Sequence, residues 1–373
     1  MAYQFEGYLR SDGTVGTRNY IGVVCSVICS SRVTKEIAEN VNDAVPLVHS
    51  NGCAQLGDDF TVTRNMLVGM ASNPNLYAAL LVGLGCETNQ ISGLLRSIPK
   101  NKPLEGIGIQ YLAGGKNTIN KGMQIAEEWS KKVERKRRIF SITSLSVGVI
   151  ALDLEDEKLN KVTSIIGKTV DILVKNDATV LMGLTETLAP AYLELSKRTD
   201  NDEVKNKFLS LKDRLDRKQW KEAYTSKNIR NSYSKKEKAR ASLELALTGN
   251  SKVRNFLYYS EKPAGNGLYF TKASNNLTET LSAMASSGCN IAIVISSRDI
   301  LTGSLILPCL TVHSSSSTEY FEDLIDYRLT EEEAEVQAEK IIETLLQVGS
   351  GQQTSLEKYD LGEFSIPHVG TTF

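Results

Sequence analysis

A chain of 373 residues, 41% hydrophobic and 23% charged with a net charge of -1, is too long for one comfortable core. Its balanced charge argues against a large nucleic-acid footprint, which needs a local excess of Lys and Arg. No apolar run approaches the ~20 residues of a membrane span, and the opening MAYQFEGYLRSDG lacks a signal-peptide core, so a cytoplasmic protein of two domains is expected.

Ahead of the first strand, Arg10, Asp12, Gly13, Gly16, Arg18 and Asn19 fall within ten residues. The Asp-Gly pair reads as a tight turn or hairpin, and two arginines held by it suit a carboxylate or phosphate clamp as well as they suit a solvated surface. A strand is predicted over Tyr20 to Ile28, a helix over Val33 to Val41, and a strand over Ala44 to Val48 that delivers His49, Ser50, Asn51, Gly52 and Cys53. Asp58 and Asp59 open a helix to about Ala71, as an acidic first turn should, and Asn73, Pro74 and Asn75 break it. The run LLVGLGCETNQ, Leu80 to Gln90, then reads as a buried parallel strand stopping at Gly83 and Gly85 and presenting Cys86 and Glu87.

A helix near Ile91 to Ile98, a strand at Gly106 to Leu112 and a long helix from near Thr118 follow. The basic cluster Lys131, Lys132, Arg135, Lys136, Arg137 and Arg138 suits the end of that helix better than a nucleic-acid patch. Alternating strand and helix predict an α/β fold with a doubly wound, mostly parallel sheet in residues 1–138. Open sheets of this kind bind ligands at the carboxyl ends of their strands. His49, Cys53, Cys86 and Glu87 gather there, with Asp58 or Asp59 in reach. Such a set suits Fe, Mn or Zn, although its spacing matches no closed zinc site and a buried thiol is more often packing. The six cysteines lack CxxC spacing and read as reduced thiols, some of them ligands, rather than a disulfide framework.

The words R-S-D-G-T-V-G-T-R-N at Arg10 to Asn19, H-S-N-G-C at His49 to Cys53, N-P-N at Asn73 to Asn75 and G-L-G-C-E at Gly83 to Glu87 resemble, in order and separation, the altronate dehydratase and galactarate dehydratase family. The closing Gly349, Ser350, Gly351, Thr354, Glu363, Phe364, Pro367, His368 and Gly370 continue the resemblance. It implies a hydro-lyase converting a sugar acid to a 2-keto-3-deoxy acid with a divalent metal, iron before manganese. It also implies a chain of the large-subunit type, for which a small partner subunit is expected; a homo-oligomer is the other assembly considered, with no nucleic acid and no membrane as partner. The roles it suggests are His49 and Glu87 as catalytic groups, Cys53 and Cys86 as metal ligands, and Arg10, Arg18, Asn19 and Arg298 as the substrate clamp.

The second half, residues 139–373, is predicted as another α/β domain, and here the chain departs from the family. Where the family carries C-G-G-S-D, this chain reads A-L-D-L-E at Ala151 to Glu155; Asp153 and Glu155 fit a helix start ahead of Leu159 to Asn176 better than an oxygen-ligand set. Strands are predicted at Ala178 to Leu184, Asn290 to Ser296 and Leu305 to Val312. A long polar helical stretch is predicted over Asp200 to Leu247, with Trp220 and Tyr224 on one stripe, and a final helix over Thr330 to Val348 with Thr330 as N-cap. Ser314 to Ser317 is a loop more than an anion site. Three readings stay open: a sugar-acid hydro-lyase, a sulfolactate-type lyase of the same superfamily, and a non-catalytic paralogue acting as a binding or regulatory subunit.

Overall fold

A computed structural model of the protein describes residues 3–151, 159–225, 233–274, 276–296, 300–313 and 321–369. Asp153, Glu155, Arg298, Ser314 to Ser317 and Gly370 lie outside them, as do the side chains of Trp220 and Tyr224.

The chain opens with β1 (Gln4–Leu9), which turns back through Arg10–Thr14 into the two-residue β2 (Val15–Gly16). The turn is closed by Arg10 N–H to the Thr14 carbonyl at 2.8 Å, with Gly13 at φ 85°, so the Asp-Gly pair forms the expected hairpin. Strand β3 (Tyr20–Cys25), helix α1 (Ser31–Glu39), β4 (Ala44–Leu47), α2 (Gly57–Ala71), β5 (Leu76–Gly83), α3 (Ile91–Ser97), β6 (Leu104–Gly108) and α4 (Gly115–Ser130) follow. The four strands form one parallel sheet in the order β4-β3-β5-β6. Ile37, Ile125 and Trp129 of α1 and α4 pack on one face with Val23 and Leu80, while Met66, Leu67 and Leu94 of α2 and α3 cover the other with Val24 and Leu81. Strand β5 is therefore buried on both faces, which is why it reads as a continuous apolar run.

Two boundaries move. The first strand ends at Cys25, and Ile28–Ser30 is a short 3-10 turn. Helix α4 stops at Ser130, eight residues before Arg138, because the basic residues are drawn into tertiary contacts. Arg135 grips both carboxylate oxygens of Asp43 at 2.8 and 2.7 Å, and Arg137 donates to the carbonyls of Glu6, Thr17 and Gly349. These cations do not cap the helix. Arg138 itself begins β7 (Arg138–Ser141), which pairs antiparallel with β1.

The second body contains β8 (Ser146–Ala151), α5 (Leu159–Lys175), β9 (Thr179–Leu184), α6 (Tyr192–Lys197), α7 (Asp202–Thr225), α8 (Lys235–Ala246), β10 (Val253–Leu257), β11 (Gly267–Lys272), α9 (Leu277–Ser286) and β12 (Ile291–Ser296). It closes with β13 (Gly303–Ser304), β14 (Cys309–His313), β15 (Tyr327–Arg328), α10 (Ala334–Gly349), α11 (Ser355–Lys358) and β16 (Gly362–Glu363). Seven strands make a parallel sheet in the order β10-β11-β9-β8-β12-β14-β15. The predicted long polar helix is two, α7 and α8, the latter opened by a Ser234/Glu237 capping box. Thr330 is not the final helix's N-cap; buried Gln337 bonds both its N–H and its carbonyl, holding it in the preceding turn, and Glu333 takes the cap position.

One face of this sheet is covered by α5, α10 and the α6–α8 layer, with Phe5 of β1 packed into the same core. Across the other face, Ile150, Leu181, Ala292 and Val294 share a core with α9 and with Met66, Leu67 and Met70 of α2. Helix α2 is thus sandwiched between the two bodies. Among the described residues, no helix is long and apolar enough to cross a membrane.

Candidate active site

Strands β4, β3 and β5 lie side by side, and their carboxyl ends release three loops: residues 26–30, 48–56 and 84–90. Backbone hydrogen bonds tie these loops together. Ile28 N–H donates to the Asn51 carbonyl at 3.0 Å, and the Cys53 carbonyl accepts from Thr88 N–H at 3.3 Å and Thr88 Oγ1 at 2.9 Å. Glu87 folds back under the edge, buried, with Oε1 accepting from Ser26 Oγ at 2.9 Å and Oε2 from Gly85 N–H at 2.6 Å. Glycine is required at position 83 for this, since a Cβ there would meet Glu87 Oε1 at 2.1 Å. Cys53 and Cys86 stand exposed in these loops, and so does Cys29, which follows the end of β3.

His49 is buried beneath them. Its Nε2 lies 3.0 Å from the Cys25 carbonyl and its Nδ1 3.1 Å from Asn51 N–H, which fixes the neutral tautomer with hydrogen on Nε2. Burial pushes its pKa down to about 4, so at neutral pH the ring is uncharged and its one N–H is held by the Cys25 carbonyl. Phe364 packs edge-on against the ring at 5.9 Å between centroids.

That phenylalanine belongs to the carboxyl-terminal segment, which runs from one body to the other. Glu363 accepts from Thr278 Oγ1 in the first turn of α9, Ser365 N–H donates to Ser282 Oγ, and Val369 N–H donates to Asp59 Oδ1 at 2.7 Å in the first turn of α2. His368 Nδ1 lies 3.7 Å from the same Asp59 oxygen, with about half of the imidazole exposed. Asn89 Nδ2 donates to the Phe60 carbonyl, so this turn of α2 adjoins the Cys86 loop. An exposed histidine beside a carboxylate therefore lies at the turn of α2 that adjoins the Cys86 loop.

The expected substrate clamp is not formed by Arg10, Arg18 and Asn19 here. Arg10 is buried, donating from Nε to the Pro74 carbonyl at 2.7 Å, from one terminal nitrogen to Asn19 Oδ1 at 2.7 Å and from the other to the Arg18 carbonyl at 3.1 Å. Arg18 makes a two-point ion pair with Glu357 at 2.6 and 2.7 Å and also donates to the carbonyls of Thr17, Val348 and Gln352. Asn19 spends its amide on the Glu134 carbonyl. These donors are consumed in joining the chain's segments, so they have little left for a ligand.

The expected metal set also fails as a single-ion site. Both His49 nitrogens and both Glu87 oxygens are already engaged, and among the described residues no three His, Cys, Asp or Glu side chains are grouped closely enough to hold one ion. Cys29 and His368 are the groups that sequence reasoning left out of the site, whereas Asp59 had been placed within its reach. Cys29 stood at a strand end like Cys53 and Cys86, which was its signal. The Asp59–His368 pairing spans 309 positions and had none beyond each residue's place in a motif.

A separate cavity of about 350 Å³ opens at the carboxyl ends of β8, β9 and β11, lined by Ala151, Thr185, Thr187, Arg240, Glu244 and Thr280 among others. Glu244 accepts there from Thr187 Oγ1 at 2.6 Å and from Arg240 Nε at 3.1 Å.

Two parallel-sheet bodies with polar and nucleophilic side chains at the strand carboxyl ends, where open sheets bind ligands, define an α/β protein. The chain belongs to the D-galactarate dehydratase/altronate hydrolase family, matching its second domain over residues 7–134 and its C-terminal domain over residues 162–372. It is 25% identical to altronate dehydratase of Bacillus subtilis over 99% of this chain and 78% of that protein. It is also 25% identical to the (2R)-sulfolactate sulfo-lyase subunit beta of Chromohalobacter salexigens, over 98% and 97% of the two chains. Galactarate dehydratase (L-threo-forming) of Escherichia coli is 25% identical over 94% of this chain and 73% of its own length. The family resemblance read from the motifs holds along both bodies, at the low identity of a divergent member.

Proposed function

We propose that the chain is a carbon–oxygen lyase that removes water from an altronate- or galactarate-like hydroxy acid and leaves a 2-keto-3-deoxy acid. The observation that carries the reading is the match to dehydratases along nearly the whole chain, covering both bodies. In such an elimination the C2 proton leaves to a base and the C3–oxygen bond breaks. The departing oxygen takes a proton to leave as water, and the resulting enol is protonated at C3 as it becomes a ketone. His368, exposed beside Asp59 in the turn of α2 that adjoins the Cys86 loop, is the group assigned to protonate the departing oxygen. His49 and Glu87 serve as positioning residues, fixing the loops that carry Cys53 and Cys86. Iron or manganese is the electrophile the family suggests, but His49, Cys53, Cys86 and Glu87 do not fit a single ion in this arrangement, so no step is routed through one.

The test is incubation of anaerobically purified protein with altronate, galactarate and (2R)-sulfolactate, trapping any 2-keto acid as its semicarbazone. A keto acid from altronate or galactarate is expected, and His368→Asn should lower kcat on the order of 100-fold with KM little changed. Sulfite and keto acid from sulfolactate alone would favour the second reading. It draws on the 25% identity to a (2R)-sulfolactate sulfo-lyase subunit over 98% of this chain. No product from any acid, with or without candidate partner chains, would leave the non-catalytic subunit.

A further inference from the structure

The cavity of about 350 Å³ in the second body lies where its sheet changes winding direction. Strand β8 has β9 on one side and β12 on the other, so the chain first builds outward from β8 one way and later the other way. Open sheets bind small molecules outside the carboxyl ends of their strands at such a point, and the volume falls in the range of small-molecule sites.

The polar wall of this cavity is one connected set. Thr187 Oγ1 donates to Glu244 Oε1 at 2.6 Å, Thr185 Oγ1 lies 2.5 Å from Thr187 Oγ1 and 3.2 Å from Glu244 Oε2, and Arg240 Nε donates to Glu244 Oε1 at 3.1 Å. The Glu244 side chain is 13% exposed. Elsewhere in the lining, Thr248 gives its hydroxyl hydrogen to the Leu245 carbonyl, Thr280 to the Ser274 carbonyl and Ser274 to the Asn276 carbonyl. Each lining hydroxyl therefore has its hydrogen directed at a protein oxygen, and what it has left to offer is lone pairs. Such a wall takes a ligand that donates.

Charge narrows the ligand further. Arg240 and Glu244 are the ionisable side chains among the described lining residues, and they pair with each other. A charged group brought in by a ligand would find no counter-charge there, which is costly away from water. Met182, Leu188 and Phe270 supply apolar surface beside the hydroxyls, as the C–H faces of a polyol require.

We propose that this cavity binds an uncharged polyhydroxylated molecule, a sugar or sugar alcohol. Its hydroxyls donate to Thr185, Thr187 and Glu244, and its carbon skeleton packs on Met182, Leu188 and Phe270. The site lies in the other body from the thiol-bearing loops and disfavours a carboxylate, so it is separate from the site of the proposed lyase and does not rest on that reading.

The experiment titrates the full chain with linear probes of one carbon skeleton that differ in charge: sorbitol, which is neutral, gluconate, which is anionic, and glucamine, which is cationic. Glucose is added as a neutral ring. Binding is read by calorimetry and by saturation-transfer NMR. Sorbitol or glucose should bind saturably and in preference to both charged probes. Thr187→Val, which removes a hydroxyl from the wall at little change in shape, should weaken that binding about tenfold, and Thr187→Ser, which keeps the hydroxyl, should bind as the wild type does. Thr185→Val repeats the test on the neighbouring hydroxyl if Thr187→Val does not fold. No saturable binding of either neutral probe, equal or tighter binding of gluconate or glucamine, or binding indifferent to loss of the hydroxyl overturns the proposal.

Discussion

His49 shows how much a residue's role depends on what surrounds it. As a lone histidine after a strand it suited a ligand or an acid, yet its two nitrogens bond the Cys25 carbonyl and Asn51 N–H, and burial lowers its pKa to about 4. A histidine whose folded pKa is depressed binds fewer protons folded than unfolded between that value and its ordinary ~6.5, so stability rises with pH across this window. Its contribution is fully present above ~6.5 and falls away as pH drops towards 4, by about 3 kcal/mol in all. Urea unfolding of wild type and His49→Gln between pH 4 and 7 checks it: the difference between the two should shrink as pH falls, and a constant difference would refute it. Cys86 and Glu87 were legible as neighbours at a strand end. That one side chain is exposed and the other folded under the loop was not, because it depends on Ser26 and Gly85 meeting the carboxylate.

At the scale of elements, α2 is the pivotal helix. Its acidic first turn and apolar content were readable, but its burial towards a second body was not, since helical period does not name the partner. Gly69 marks the contact: a Cβ there would lie 2.3 Å from the Ser286 carbonyl at the end of α9. In an exposed helix Gly→Ala stabilises, by about 1 kcal/mol. Here backbone would have to yield, so Gly69→Ala should instead lower stability by about 1 to 3 kcal/mol, read as a lower urea midpoint. A raised midpoint would mean that α2 and α9 do not pack this closely. Strand β5 was recognised because burial on both faces leaves an unbroken apolar signature, whereas β10, β11 and α9 escaped notice amid polar turns.

The whole molecule is joined by the Asn73-Pro74-Asn75 motif, which had read as a helix break, together with the Arg10–Asn19 segment that had read as a clamp. Asn75 accepts from Thr17 N–H at 2.8 Å and donates to the carbonyls of Asn290 at 2.9 Å and Ile306 at 2.7 Å, while Asn73 donates to the carbonyls of Ala285 and Cys289. Removing one such side chain strands several buried groups at once. Asn75→Ala should therefore cost about 2 to 4 kcal/mol, and with the seam weakened, unfolding followed by hydrogen exchange should separate residues 20–130 from the second sheet. Unchanged stability, with both sheets exchanging together, would show that the seam does not depend on Asn75.

By itself the sequence determined the α/β class, the parallel first sheet, the strand ends where chemistry-bearing residues collect, and the family. Those properties follow from local period, glycine and proline placement, and motif order. Only the tertiary structure decided which polar residues are free to act. Arg10, Arg18 and Asn19 are spent on Pro74, Glu357 and Glu134, partners up to 339 positions away, whereas the same fold leaves Cys29, Cys53, Cys86 and His368 at the surface. A side chain's donors and charge are fixed by its type, but whether they meet a buried carbonyl, a carboxylate or solvent is fixed by segments distant in the chain.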